Sequence, residues 1–389
     1  MTIEAPPQHA AVAGPFVYFM DLIRGVAAQL VVVGHSGNVF LPSIFMLVTP
    51  AGLFEGRPDV IMLQNLAVLI FFYVSGYLIT STFLKKSKNP DWRLRDFLAD
   101  RAARIFTPLV PLLLILFVTD KLVFGTYATT PYTTIDASFA NLCRNILMLF
   151  DNPVLAKLER LTGLHGLAGP AFGSAEQLWS VVVEWWIYVL FGVLAFWLIH
   201  RRGPLALWLA LLALAIPVPL AASLRISGLG IAWVVGMGMC LATPRLRTLG
   251  WPLLLGLGAL ALLGATVRWL FTRFNFYDPI TAAALGIGLF LLMEAVQRRG
   301  FKARPAHRLV LGMSKISYSL YLVHLSIIFY AAHYFPALVG NWLSILLAIL
   351  LCNLGATLFY LAFERHYPRV RQLMEPWLRR WPRLQSRGV

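Results

Sequence analysis

The sequence predicts an all-α polytopic membrane protein, with about ten transmembrane helices and both termini cytoplasmic. Of its 389 residues 59% are hydrophobic and only 13% charged, and the mean hydropathy is +0.73. Soluble domains carry about a quarter charged residues, and an apolar excess of this size has no packing solution in water.

Apolar runs bounded by Gly, Pro and charge place the spans at 16–40, 61–84, 105–124, 177–199, 205–222, 227–242, 249–270, 279–297, 316–335 and 342–364. The fifth and sixth are short and interrupted by Pro217, Pro219 and Gly228. With both ends inside, the inner segments hold 24 Lys and Arg and the outer ones 8, counting Lys121 and Arg268 at the outer ends of their spans, which leaves Arg24 alone deep within a span. That asymmetry orients the chain by the positive-inside rule. The net charge of +16 is thereby accounted for at the membrane surface, and no nucleic-acid partner is implied. The domain division is 1–15 as a cytoplasmic segment, 16–364 as the membrane domain and 365–389 as a basic cytoplasmic tail.

The N-terminus lacks the basic flank of a cleavable signal peptide, so the first run is expected to be retained. Cys143, Cys240 and Cys352 are odd in number and lack metal-type spacing, which supports neither a disulfide framework nor a metal site. The longest outer segment, 125–176, exceeds a turn and carries a candidate short helix at Cys143–Phe150; binding is often placed on such loops. The tail interleaves Arg with Trp and Leu, as in a helix lying on anionic headgroups.

Ionisable side chains within spans cost at least about 2.5 kcal/mol each at the bilayer centre and so mark candidate sites. The first span carries Asp21, Arg24 and His35. Asp21 and Arg24, three apart, form a candidate structural pair. Arg24 and His35, 11 positions apart, return to within about 20° of one face and stand roughly 16 Å apart along the axis. A slender ligand along that face touches both. Glu184, in LWSVVVEWW, falls at a depth similar to that of His35, where a carboxylate can orient an imidazole base. Arg101 and Arg104 offer a paired guanidinium surface for phosphates at the inner face; on charge alone, an ordinary positive-inside cluster explains them better. Tyr321 and His324, near the expected depth of Arg24, are candidate ligand contacts or core residues. In FFYVSGYLI, Gly76 permits close helix approach, while Ser75 and Tyr77, with Trp179 of the fourth span, are candidates for lining an acceptor cavity.

The segments MDLIRGVAAQLVVVGH, FFYVSGYLI, DFLADRAARIFTPLVP, LWSVVVEWW and ISYSLYLVHL, in this order, resemble the acyltransferase-3 family, bacterial membrane enzymes that O-acylate envelope sugars. The resemblance runs from about Asp21 to about Glu364. It implies that His35 is the essential catalytic residue, that Arg24 shares its motif, and that Arg101 and Arg104 begin the third helix as the family's Arg pair. Glu184 occupies the family's acidic position, although WSVVVE departs from the WSLSVE-like pattern. The C-terminal esterase-like domain of some members is not found in this sequence.

Together these readings lead to the expectation of an integral enzyme of the bacterial inner membrane that carries an acyl group, by family default acetyl, from cytoplasmic acyl-CoA to a hydroxyl of an extracytoplasmic glycan or lipid-linked sugar. His35 then serves as general base or transient acyl carrier with Glu184 in support, and Arg24, Arg101, Arg104, Tyr321 and His324 contact the donor. Membrane lipids are the other expected partner, and no metal is expected. The alternative is a secondary transporter using Asp21, Arg24, His35, Glu184 and His324 as a relay. The phosphate-matched Arg pair and the absence of evident paired broken helices count against it.

Overall fold

The computed structural model describes residues 15–41, 62–130, 133–150, 152–164, 166–167, 169–200, 204–299 and 307–380. Residues 1–14, the outer-loop Arg57 and the tail beyond residue 380 lie outside the described residues. The chain is an all-α polytopic membrane protein. Its helices are α1 (Pro15–Phe40), α2 (Leu63–Lys86), α3 (Leu94–Val123), α4 (Phe139–Ile146), α5 (Pro153–Thr162), α6 (Leu178–His200), α7 (Leu205–Ala215), α8 (Pro217–Arg225), α9 (Ser227–Leu246), α10 (Trp251–Phe271), α11 (Pro279–Arg298), α12 (His307–Tyr334), α13 (Leu343–Ala362) and α14 (Tyr367–Arg380).

Among the described residues, nine helical segments are long and apolar enough to cross a membrane. The expected first span, α1, has 26 residues, and its apolar run is diluted by Arg24, Gln29, His35 and Asn38. The weak fifth span is one bent segment, Leu205–Arg225. Ile216 keeps helical dihedrals between α7 and α8, while Pro217 and Pro219 withhold the N–H groups a straight helix needs.

Two helices start well before their expected spans, α3 at Leu94 and α12 at His307. Charge ends a lipid-compatible run but does not end a helix. At the start of α3 the Arg93 N–H donates to Asp96 (3.0 Å), a capping contact that holds the first turn outside the apolar stretch.

The outer segment folds into more than was expected. β1 (Tyr127–Thr129) and β2 (Thr134–Asp136) pair antiparallel with Ala128 opposite Ile135. The short helix expected at Cys143–Phe150 is instead Phe139–Ile146, because Ser138 caps it by accepting from the Asn141 N–H at 3.2 Å. It ends before Met148, whose φ is 55°. α5 was not expected; Asn152 caps it, Pro153 opens it and Gly163, at φ 70°, closes it. Trp186 Nε1 donates to the Met148 carbonyl (2.9 Å), fastening this outer layer onto α6.

α12 is the most buried of the apolar spans, with α1 and α13 packed against it. α2 and α9 approach backbone to backbone: a Cβ on Gly76 would overlap the Trp233 carbonyl, and one on Gly236 the Tyr73 carbonyl. This is the close approach expected of Gly76, with small residues substituting for the hydrophobic drive that lipid removes. Gln29 and Asn353 exchange amide hydrogen bonds at 2.8 and 2.9 Å, tying α1 to α13. α14 docks on α3 through Arg371, whose Nε donates to Asp100 at 2.7 Å. The described part of the tail is thus bound to protein, with Leu373 and Trp377 left exposed.

Candidate functional site

At its basic end α1 lies beside α12 in parallel. Asp21 and Arg24 form the expected pair, Nη2 to Oδ1 at 3.3 Å. Ser314 of α12 completes it, its hydroxyl donating to Asp21 (2.6 Å) and its carbonyl accepting from Arg24 (3.2 Å). Ten residues further along α12, the His324 ring stands against His35, with ring centroids 5.2 Å apart and planes tilted by 41°. Arg24 and His35 therefore contact one side of the same helix, as their spacing on α1 anticipates.

Between these levels lies a partly open cavity of about 190 Å³. Arg24, Arg101, Arg104, Glu184, Ser75, Tyr188, Ser317, Tyr318 and Tyr321 supply its polar lining, and Val68, Phe71, Phe72, Val74, Leu78 and Ile79 supply an apolar wall from α2. Among the described residues three of its donors are buried without a partner: Arg24 Nε, Arg101 Nε and the Tyr318 hydroxyl. A buried unpaired polar group costs about 1–3 kcal/mol, so three around one cavity mark a place shaped for an oxygen-rich or anionic guest.

Arg104 differs from its neighbour. Its Nη2 is 3.0 Å from Glu364, a carboxylate with 0% exposure, and its guanidinium lies over the Tyr367 ring at 4.9 Å. The other Glu364 oxygen accepts from the Ser319 N–H (3.0 Å) and hydroxyl (2.5 Å). The two arginines expected to form one phosphate-binding surface thus divide. Arg104 is anchored within the protein, while Arg101 keeps a donor for a ligand.

The pairing expected between Glu184 and His35 is not formed. Glu184 lines the cavity and accepts from the Tyr188 hydroxyl, which is itself 2.8 Å from Ser75 Oγ; His35 does not line this cavity. The reason is depth. α6 begins beneath the outer layer, where Gln177 Nε2 donates to the Leu322 carbonyl (2.7 Å) and Ser180 meets the Tyr321 hydroxyl (2.6 Å). Glu184 sits one turn further in than Ser180, and His35 is level with His324, one turn further out. The two are therefore separated by about 10 Å along the bundle axis.

Ser75 and Tyr321 reach the cavity; Tyr77, Trp179 and His324 are not among its lining residues. Tyr77 stacks on Phe290 of α11 (5.5 Å), Trp179 packs against the core, and His324 is fully buried. His35 as a residue is half-buried and stands outside the lining of this cavity.

Sequence reasoning missed Glu364, Asp120, Tyr188 and Tyr318. Glu364 and Asp120 each stand at a span end beside a basic residue, Arg365 and Lys121, and read as interface charges. Both carboxylates are fully buried. Asp120 accepts from the Tyr330 hydroxyl (2.5 Å) and the Ser174 N–H (2.8 Å), locking the outer layer onto α3 and α12. Tyr188 follows Glu184 by four residues, the helical spacing that could have revealed it. Among the described residues no cluster of three metal-ligating side chains occurs.

In comparisons with known proteins, the sequence model of a family described as an acyltransferase domain, the third of that name, matches residues 17–361. No curated protein matches the chain. No solved structure matches it either.

Proposed function

The chain belongs to the acyltransferase-3 family, and from that premise we propose that it transfers an acyl group, acetyl by family default, from cytoplasmic acyl-CoA to a hydroxyl of an extracytoplasmic carbohydrate or glycolipid in the bacterial inner membrane. Membership alone makes it a membrane acyltransferase and favours transfer chemistry over a transport relay. The donor, the acceptor and the residue roles are this proposal's own content.

One observation carries the donor reading. Arg24 Nε, Arg101 Nε and the Tyr318 hydroxyl are buried, without a partner among the described residues, and gathered at one cavity, toward the end of the bundle where the basic segments lie. Pockets that enclose a drug-sized ligand run about 300–1,000 Å³. A cavity of about 190 Å³ suits the acyl-bearing tip of a donor whose nucleotide remains outside. Arg101 and Arg24 meet the donor's anionic and carbonyl oxygens, and the apolar wall of α2 excludes water from the thioester. Arg104, held by Glu364, maintains positive potential without reorganising, which is how a preorganised site stabilises developing charge.

His35 lies beyond Tyr321, toward the outer layer. As general base it removes the proton of the acceptor hydroxyl while that oxygen attacks the thioester carbonyl, and the proton leaves with the CoA thiol. A transient acyl-histidine is the other route; trapping acyl-enzyme with radiolabelled donor in the absence of acceptor separates the two. Glu184, bound by Tyr188, acts as counter-charge and hydrogen-bond acceptor at the donor end.

Arg101→Ala tests the donor reading. The acetyl-CoA concentration needed for half-maximal transfer by washed membranes should rise by about tenfold or more, the cost of one charge-assisted hydrogen bond. An unchanged requirement would refute it.

A further inference from the structure

His324 plays no part in the donor cavity, yet one of its atoms is conspicuous. The ring has 0% exposure. Its Nδ1 lies 2.8 Å from the Tyr321 carbonyl and 3.1 Å from that of Leu320. Carbonyl oxygens only accept, so Nδ1 carries the proton, and a neutral ring must then hold a bare lone pair on Nε2. That Nε2 is buried and has no partner among the described residues. The ring beside it is His35, at a centroid separation of 5.2 Å. Two imidazoles joined edge to edge by an N–H···N bond of about 2.9 Å have their centres near this distance. At this separation the bond requires a nitrogen of the His35 ring to face His324 Nε2.

We propose that His324 is the positioning residue of His35, its Nε2 accepting the His35 N–H and thereby fixing the tautomer that offers a lone pair to the acceptor hydroxyl. This rests on His35 acting as the base. The protons balance. The hydroxyl proton passes to the free nitrogen of His35 as the new ester bond forms and the thioester bond breaks. The resulting imidazolium keeps its other N–H on His324, and the same proton then goes to the departing thiolate to give the thiol. His324 holds the ring throughout and exchanges no atom with substrate. An imidazole thus does what a carboxylate does in a Ser-His-Asp triad, at a depth where a carboxylate would have to be buried without a counter-ion.

The test compares wild type with His324→Asn, whose amide can still donate to the Tyr321 carbonyl from the Nδ1 position but has nothing at Nε2. His324→Gln, which returns a polar atom near Nε2, is the second variant. Two quantities are read: acetyl transfer by washed membranes at saturating acetyl-CoA, and the rate at which diethylpyrocarbonate modifies His35 in purified protein, followed by peptide mass spectrometry. His324→Asn should lower the maximal rate about a hundredfold, the scale of a lost acid–base contribution, with the donor requirement unchanged. It should also slow modification of His35 several-fold, and His324→Gln should recover part of both. Equal His35 modification in wild type and His324→Asn would overturn the pairing, whatever the activity. A slowed modification in a protein whose wild type transfers nothing would keep the pairing and reject the transferase chemistry built on it. A variant that fails to fold shows a collapsed thermal transition, and the comparison then rests on His324→Gln.

Discussion

Replacing Glu364 by Ala removes a carboxylate with 0% exposure that Arg104 meets at 3.0 Å and that accepts from the Ser319 N–H and hydroxyl at 3.0 and 2.5 Å. Removing one member of a buried pair costs about 3–5 kcal/mol, because the survivor is left without a counter-charge. The Arg104 side chain is 32% exposed and can recruit water, which places the expected loss at the lower end, about 3 kcal/mol. Glu364→Gln keeps the shape and an acceptor for Ser319 but loses the charge, and should cost about 1–2 kcal/mol. Thermal unfolding of the purified protein in detergent orders wild type above Glu364→Gln above Glu364→Ala. The acetyl-CoA requirement should rise in the same order, because a released Arg104 no longer holds its place at the cavity. Unfolding of Glu364→Ala indistinguishable from wild type would refute the buried pair.

Two further outcomes follow from the packing and from the outer corner. Gly76→Ala forces a Cβ into the Trp233 carbonyl and should destabilise by about 1–3 kcal/mol, whereas Gly256→Ala, with open space around it, should be neutral in the same unfolding assay. Between α10 and α11, Asp278 accepts from Arg268 at 3.0 and 3.1 Å and caps α11 through Thr281. The hydrogen bond from Arg268 holds its carboxyl down to about 2. A lowered carboxyl contributes stability that is complete above its ordinary value of about 3.9 and is lost as pH falls through about 2. The unfolding gap between wild type and Asp278→Asn should therefore be widest at pH 5 and close by pH 2; a gap that does not change over this range would contradict the pair.

The spans were legible because a bilayer demands long apolar runs, and those at 279–297 and 249–270 differ from α11 and α10 by no more than two residues at either end. The starts of α3 and α12 were not legible, because the apolar signal reports lipid contact and stops where helix continues into water. α5 is signalled by Asn152, Pro153 and Gly163, local cap and stop residues that an apolar-run criterion does not register. At the site, the spacing of Arg24 and His35 gave their shared face correctly, since helical geometry alone decides it. The pairing of Glu184 with His35 does not form, because depth counted from span ends misplaces α6. α6 begins below the outer layer, and only tertiary structure shows that. Glu364 was hidden for the same reason: its burial depends on α12 and α3, which are distant in sequence.

The most direct measurement is the amount of ester-linked acetyl on envelope carbohydrate, read by mass spectrometry in cells lacking this protein and resupplied with wild type or His35→Ala. Wild type should restore an ester that the deletion removes, and His35→Ala, present in the membrane at the same level and with the same unfolding temperature, should restore none. Full restoration by His35→Ala would contradict a catalytic imidazole at this position.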